Sequence, residues 1–440
     1  MASDLPFVLR AYQRLSAAAT PLAGLLARRR LKRGKEDAAR VGERQGISTI
    51  DRPEGSLVWI HGASVGEVLA VSALVERLRA MNIRILLTSG TVTSASIVAE
   101  RFAADVIHQF IPYDSPRFVT RFLDHWRPNV ALMIESDFWP NLILGAAERR
   151  IPMIAINSRI SQRSFRRWGA APAMMQTLLG QFEMCLAQSQ GDAERFTALG
   201  SPHVFNTGNL KFDTPAPPAD PQRLAQMQQA VRQRPVLVAA STHPGEEELI
   251  LDAHRRLAGD FPELLTILVP RHPARGEAVA DIVKACGLRG ALRSRGALPG
   301  NESDVYVADT LGELGVFYRL SPIVVLGGSF APIGGHNPIE AIKLGAATVH
   351  GPHVHNWSEI YDALGAAGGT RRADNVETVV KVVRQWLSDD AVLRATSQAG
   401  LAVVDQLGGA LERTLAALEP YLLQLRLESE AGRVSSAGDS

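Results

Sequence analysis

Short apolar runs alternate with amphipathic helical patterns along most of the chain. LVWIHG, from Leu57, reads as a buried strand closed by a glycine turn, and Val65 to Met81 as the helix it feeds. IRILLTSG follows as a strand, Thr91 to Phe102 as a helix, VALMIES as a strand, and another helix opens near Pro140. PMIAINSR and FEMCLAQS continue the series, each ending in polar residues. Beyond the stiff segment PAPPADP a second series begins. RPVLVAAST, LLTILVPRH, DVYVAD, PIVVLGGS and GAATVHGP, the last, read as its strands, Glu246 to Leu257 as a helix, and Val376 to Leu427 as closing helices. Apolar strands separated by amphipathic helices predict parallel sheets covered on both faces. The expected fold is therefore α/β, with two Rossmann-like domains facing a cleft. Their expected bounds are 48–214 and 222–427, joined by a linker at 215–221 and followed by a disordered tail at 428–440, where apolar residues all but vanish.

Residues 1–47 break this rhythm. Leu5, Phe7, Val8, Tyr12 and Leu15 recur at helical spacing, and Leu22, Leu25 and Leu26 lead into Arg28, Arg29, Arg30, Lys32, Arg33 and Lys35. An apolar face followed by a basic run predicts a helix lying on an anionic membrane surface; the plainer alternative is a basic helix packed on the body. No segment reaches the roughly 18 to 20 apolar residues of a membrane span.

Composition changes little in this picture. A length of 440 residues suits two domains, and a formal net charge of +2 argues against a nucleic-acid partner held by a global basic field. Cys185 and Cys286 lie in no metal-ligand spacing and read as packed, reduced side chains of a reducing compartment.

Candidate chemistry gathers at the strand ends, where open parallel sheets bind their ligands. Glu67, Thr88, Ser89, Glu135, Asn157 and Arg159 all fall there. Glu67 closes HGASVGE at the start of a helix. One reading is a dipole partner; the other, favoured here, is a general base that takes a proton from an attacking hydroxyl. Glu135, with Ser136 and Asp137, suits sugar hydroxyls or a developing positive charge, while Trp139 is expected in the core. Lys211, in GNLKFD just before the linker, is placed to meet a leaving phosphate. Arg159, Arg163, Arg166 and Arg167 suit an anionic lipid.

In the second series, LGGSFAPIGGHNPIEAI reads as a phosphate cradle, with close-approaching glycines, Asn337, and Pro338 opening a helix whose N-terminus favours anions. Its spacing is neither GxGxxG nor GxxxxGK[ST], which disfavours a nicotinamide enzyme and a nucleoside triphosphatase. Glu340 is placed to accept bonds from ribose hydroxyls. Arg271 and His272 follow one strand, and Thr310, Leu311, Gly312 and Glu313 follow another, where a cation and exposed N–H groups suit a phosphate or a base.

HGASVGE, ESDFWPN, NSRIS, GNLKFD, STHPGEE, VPRHP, DTLGEL and GGSFAPIGGHNPIE occur in that order. With them the chain resembles the 3-deoxy-D-manno-octulosonic acid (Kdo) transferases, from its basic N-terminus to about Leu427. The resemblance implies a GT-B type fold, CMP-Kdo as donor, lipid IVA as acceptor, and a place at the cytoplasmic face of the inner membrane in lipopolysaccharide biosynthesis. It implies an inverting displacement with Glu67 as the catalytic glutamate, and Glu135 and Lys211 stabilising the transition state or leaving group. CMP contacts then fall on Arg271, His272, Leu311, Gly312, Glu313, Asn337, Pro338, Ile339 and Glu340. No cofactor and no metal are expected, because the donor leaves as a monophosphate. Asp137 stands where relatives commonly have glutamate. Two alternatives are a sugar-nucleotide epimerase of the same architecture and a non-catalytic lipid- or nucleotide-binding scaffold.

Overall fold

The computed structural model describes residues 5–102, 106–135 and 137–437, and side chains up to residue 427. The chain divides into two compact units, Met1–Asp213 with Gly408–Ser440, and Thr214–Leu407.

The first unit is built on seven parallel strands: β1 (Leu57–His61), β2 (Arg84–Ser89), β3 (Val106–Phe110), β4 (Val130–Ile134), β5 (Met153–Ser158), β6 (Met184–Ala187) and β7 (Val204–Asn206). Their order is β3-β2-β1-β4-β5-β6-β7, so the sheet reverses direction between β1 and β4. Alternate residues of the central strands enter two apolar layers. Trp59, Ala131 and Met133 join one, and Val58, Ile60, Leu132 and Ile134 join the other. Burial on both faces is why these strands read as unbroken apolar runs. The helix expected over Val65 to Met81 is two, Val65–Ala70 and Ser72–Ala80, parted at Val71.

The second unit carries β8 (Val236–Thr242), β9 (Leu265–Pro270), β10 (Gly290–Leu292), β11 (Val305–Val307), β12 (Ile323–Leu326), β13 (Ala347–His350) and β14 (Thr370–Arg372). These are also parallel, in the order β10-β11-β9-β8-β12-β13-β14, with the reversal between β8 and β12. GAATVHGP is therefore not the last strand. The apolar pattern missed β7, β10 and β14, which are three residues long, and β3, whose centre is His108-Gln109. All four are sheet edges, where one neighbour suffices and a long apolar run is not required.

The second domain was expected to run to residue 427, but the chain returns to the first unit at Gly408. Leu415, Leu418, Leu422 and Leu425 of the helix Ala410–Ala437 pack with Val71, Leu74 and Leu78 on the first sheet's second layer. Asp213 pins the return by accepting from the backbone N–H groups of Gly409 (2.6 Å) and Leu411 (2.5 Å). That helix continues to Ala437, through most of the segment expected as a disordered tail; residues 438–440 lie outside the described residues.

The N-terminal helix Phe7–Ala18 is docked on the first unit. Leu9 is fully buried, the Tyr12 hydroxyl donates to Asp114 Oδ2 (2.9 Å), and Asn141 Nδ2 donates to Ser16 Oγ (2.9 Å). Its other face, with the helix Ala23–Leu31, leaves Phe7, Val8, Leu15, Leu22, Leu25 and Leu26 exposed beside the basic run. Among the described residues no helix is long and apolar enough to cross a membrane.

Candidate active site

In the first unit the candidate residues meet where β1 and β4 end. Ser64 caps the helix Val65–Ala70, its Oγ accepting from the Glu67 N–H (3.3 Å). Glu67 answers with both oxygens. Oε1 accepts from the Ser64 hydroxyl (2.7 Å) and Oε2 from the Ala63 N–H (2.7 Å). This is a variant of the capping box, with the backbone donor one residue before the cap, so the helix-start reading of Glu67 describes its resting geometry. The same contacts fix a half-buried carboxylate at a strand end. Burial raises its pKa above the ordinary range, the Ser64 hydroxyl opposes that rise, and the charge of Glu135 adds to it. A carboxylate shifted upward is a better proton acceptor at neutral pH. Gly62 keeps the space beside it tight: a Cβ there would come within 2.9 Å of Ile134 Cδ1 and 3.3 Å of Glu67 Cβ, so those side chains would have to give. A Cβ on Gly66 would meet only Ser64 Oγ at 3.9 Å, so that glycine is not set by crowding.

Glu135 takes a left-handed backbone (φ 59°) at the end of β4, an uncommon state for a residue with a side chain. Asp137 belongs to His61, whose Nε2 lies 3.1 Å from Asp137 Oδ2. Thr88 Oγ1 accepts the Trp59 indole N–H (2.8 Å) and lies 2.9 Å from His61 Nδ1. Its proton is then available to Nδ1, which leaves Nε2–H to donate to the carboxylate. Burial alone would raise the Asp137 pKa, but the bond and charge of His61, with a further bond from Trp139, bring it below the ordinary value. The ionised Asp137 carboxylate therefore orients the His61 ring. Trp139, expected in the core, is 41% exposed, because its neighbour Phe138 takes the core position against Phe182 and Phe196. Ser136 lies outside the described residues.

The turn Leu210–Asp213, which carries Lys211, packs against the helix of Glu67. Asn157, at φ 48° in an irregular stretch of β5, accepts the Leu210 N–H on Oδ1 (2.9 Å), and Asn209 Oδ1 accepts the Lys211 N–H (3.0 Å). Arg163, Arg166 and Arg167 are exposed on the helix Gln162–Gly169.

In the second unit the candidate loops follow β11, β9 and β12, with the end of β8 between the last two. Arg271 and His272 are exposed beyond β9, and Leu311 is 77% exposed beyond β11 beside Gly312 (φ 78°). Glu313 is already committed. Arg293 grips it from Nη2 (2.7 Å) and Nε (3.0 Å), Arg223 adds a contact at 3.1 Å, and the Thr310 hydroxyl donates to it. The Arg293 bond, first, holds its pKa down at about 2. It shapes the Thr310–Gly312 turn rather than offering a carboxylate to a ligand.

The segment read as a phosphate cradle is filled, in its first half, by the protein's own anion. Glu246 Oε1 accepts from the N–H groups of Ser329 (3.1 Å), Phe330 (2.9 Å) and Ala331 (3.1 Å). Its Oε2 accepts from Gly328 (2.7 Å) and His243 (2.9 Å). Gly327 is needed because a Cβ there would lie 2.4 Å from the Ser241 carbonyl oxygen. The helix expected at Pro338 is one turn, Ile339–Ile342, with Pro338 before it, too short for a developed dipole. Ile339 is wholly buried and its N–H donates to Asn337 Oδ1 (3.0 Å), while Asn337 Nδ2 donates to Glu340 (3.3 Å).

Sequence reasoning missed Glu246 and a histidine pair. His243 and His336 stack with rings 5.2 Å apart and 6° between planes, their Nε2 atoms 3.0 Å apart. Burial, then the charge of Arg271, lowers the His336 pKa to about 4. The THPGEE run, polar and directly after a strand, is the signal that marks both His243 and Glu246. Among the described residues no group of three or more His, Cys, Asp or Glu side chains is arranged to hold a metal ion.

Residues 39–214 match the model of a family described as 3-deoxy-D-manno-octulosonic-acid transferase (kdotransferase). A 3-deoxy-D-manno-octulosonic acid transferase of Haemophilus influenzae is 34% identical over 392 residues, spanning 87% of this chain and 91% of that relative. A solved glycosyltransferase from Rickettsia africae, 12% identical, aligns over 84% of this chain and 99% of its own with a TM-score of 0.52. A UDP-GlcNAc 2-epimerase from Neisseria meningitidis, 15% identical, covers 84% and 100% with a TM-score of 0.51. These last two share the fold, which serves both transfer and epimerisation.

Proposed function

Because this chain belongs to the Kdo transferase family, we propose that it moves Kdo from CMP-Kdo to a sugar hydroxyl of lipid IVA, with Glu67 as the base. Membership sets aside the epimerase and the non-catalytic scaffold. The observation that carries the assignment is the Glu67 carboxylate, fixed at the end of β1 beside Glu135 and raised in pKa by burial. In this reading the acceptor hydroxyl gives its proton to Glu67 as its oxygen bonds to the anomeric carbon. The bond from that carbon to the phosphate oxygen breaks in the same displacement, which inverts the centre, and CMP departs. Lys211 offsets the charge of the leaving monophosphate, and Glu135 favours positive charge on the sugar. Arg271 and His272, the Leu311–Glu313 turn and the Asn337–Glu340 segment hold the CMP moiety. In this reading the leaving group is a monophosphate whose charge side-chain cations offset, and no metal ion takes part.

The exposed apolar side chains of residues 7–26 and the cations of residues 28–35 support a resting place on the anionic cytoplasmic face of the inner membrane.

A transfer assay with labelled CMP-Kdo and lipid IVA tests the base. Glu67→Gln lowers kcat by about 10²- to 10⁴-fold while CMP binding, read by calorimetry, persists. Loss of CMP binding in a folded variant, or full activity, would overturn the assignment.

A further inference from the structure

A buried arginine reaches toward the base loop from the N-terminal segment. Arg44 closes the turn Ala38–Gln45 and is 3% exposed. Its guanidinium donates in three directions: Nε to Glu36 Oε2 (3.1 Å), Nη1 to the Ile111 carbonyl (3.1 Å) and Nη2 to the Gly90 carbonyl (2.7 Å). It also lies over the Phe110 ring, 4.7 Å from the centroid. A planar fork held by acceptors beyond β2 and β3 locks those two strand ends in register. Glu36 is gripped from its other side by Arg30 of the basic run (2.6 Å).

Gly90 passes this restraint on. Its N–H donates to the Ala63 carbonyl (3.0 Å), and the Ala63 N–H donates to Glu67 Oε2 (2.7 Å). The approach is close, since a Cβ on Gly90 would lie 2.7 Å from the Ala63 oxygen. We propose that Arg44 is a positioning residue for Glu67, acting through Gly90 and Ala63 to keep one backbone donor on the base; this rests on Glu67 being the base. The groups that face the Glu67 carboxylate are then the Ala63 N–H, the Ser64 hydroxyl, His61 and Glu135. Only the first is governed from Arg44. Withdrawing it destabilises the ionised base, so the base protonates at higher pH.

Full-length Arg44→Lys, which keeps a cation beside Glu36, and Gly90→Ala, which leaves Arg44 intact, are compared with the parent in kcat/KM–pH profiles. Each is expected to move the acid limb up by about one pH unit, the scale of one lost bond to a charged group, with donor KM within about twofold. The two variants approach the contact from opposite ends, so one remains informative if the other unfolds. An unmoved acid limb in a variant that folds overturns the proposal. Glu67→Gln is run beside them. Its inactivity with unmoved limbs rejects Arg44 alone, and its full activity rejects the base and the proposal together.

Discussion

Glu67 and Glu246 are both carboxylates near the start of the helix that follows the first strand of their unit, and their surroundings set them to different work. Glu67 is half-buried and bonded by one backbone N–H and one hydroxyl, which leaves lone pairs for an incoming proton. Glu246 is 2% exposed and its oxygens are taken up by five backbone N–H groups. It serves as an internal counter-anion that folds the 328–331 loop, a use of a backbone nest that ligand phosphates make elsewhere. Glu246→Gln puts an amide among donors and removes the charge. It is expected to lower stability by about 1 to 3 kcal/mol and to raise the donor KM, read by urea melts and steady-state kinetics. The candidate residues stood out in the sequence because polar groups end apolar runs. What each binds did not, since a carboxylate's partners come from segments as far apart as residues 246 and 331.

At the scale of elements, β3 shows how a polar strand is kept inside. His108 Nδ1 accepts from Arg40 Nη2 (2.9 Å), and its Nε2 therefore carries the proton toward Ser89 Oγ (2.8 Å). Burial, then the charges of Arg40 and Arg44, push its pKa from 6.5 down to about 3. The unfolded chain takes up this proton as pH falls through about 6.5, while the fold refuses it until about 3, so stability is lost across that window. One such group contributes at most about 1.4 kcal/mol per pH unit. His108→Gln is expected to flatten the slope of unfolding free energy between pH 6 and about 4 relative to the parent. No apolar alternation marks β3 because its polar side chains find partners from distant segments: His108 from Arg40 and Ser89, and the Gln109 amide oxygen from the Trp126 indole N–H.

For the whole molecule, the N-terminal segment has two faces, one docked and one exposed. Leu9, Tyr12 and Ser16 fasten it to the first unit, and Phe7, Val8, Leu15, Leu22, Leu25 and Leu26 stay exposed. Replacing exposed Arg28, Arg29, Lys32 and Arg33 by Gln should weaken binding to anionic vesicles by about 1 kcal/mol per cation and leave the melting temperature unchanged. Vesicle co-sedimentation at two salt concentrations checks this, with neutral lipid as the comparison. The sequence by itself determined the α/β class, the parallel sheets and the strand-end position of Glu67, Glu135, Arg271 and His272. Period and burial are local properties, and strand ends are visible where apolar runs stop. Only the tertiary structure decided that the chain returns at Gly408, that Glu246 fills the glycine loop, that Glu313 is spent on Arg293, and that Arg44 bonds the Gly90 carbonyl beside the Ala63–Glu67 segment. Each of these depends on which distant segment supplies the partner, and an apolar stripe or a charged side chain carries no address for that.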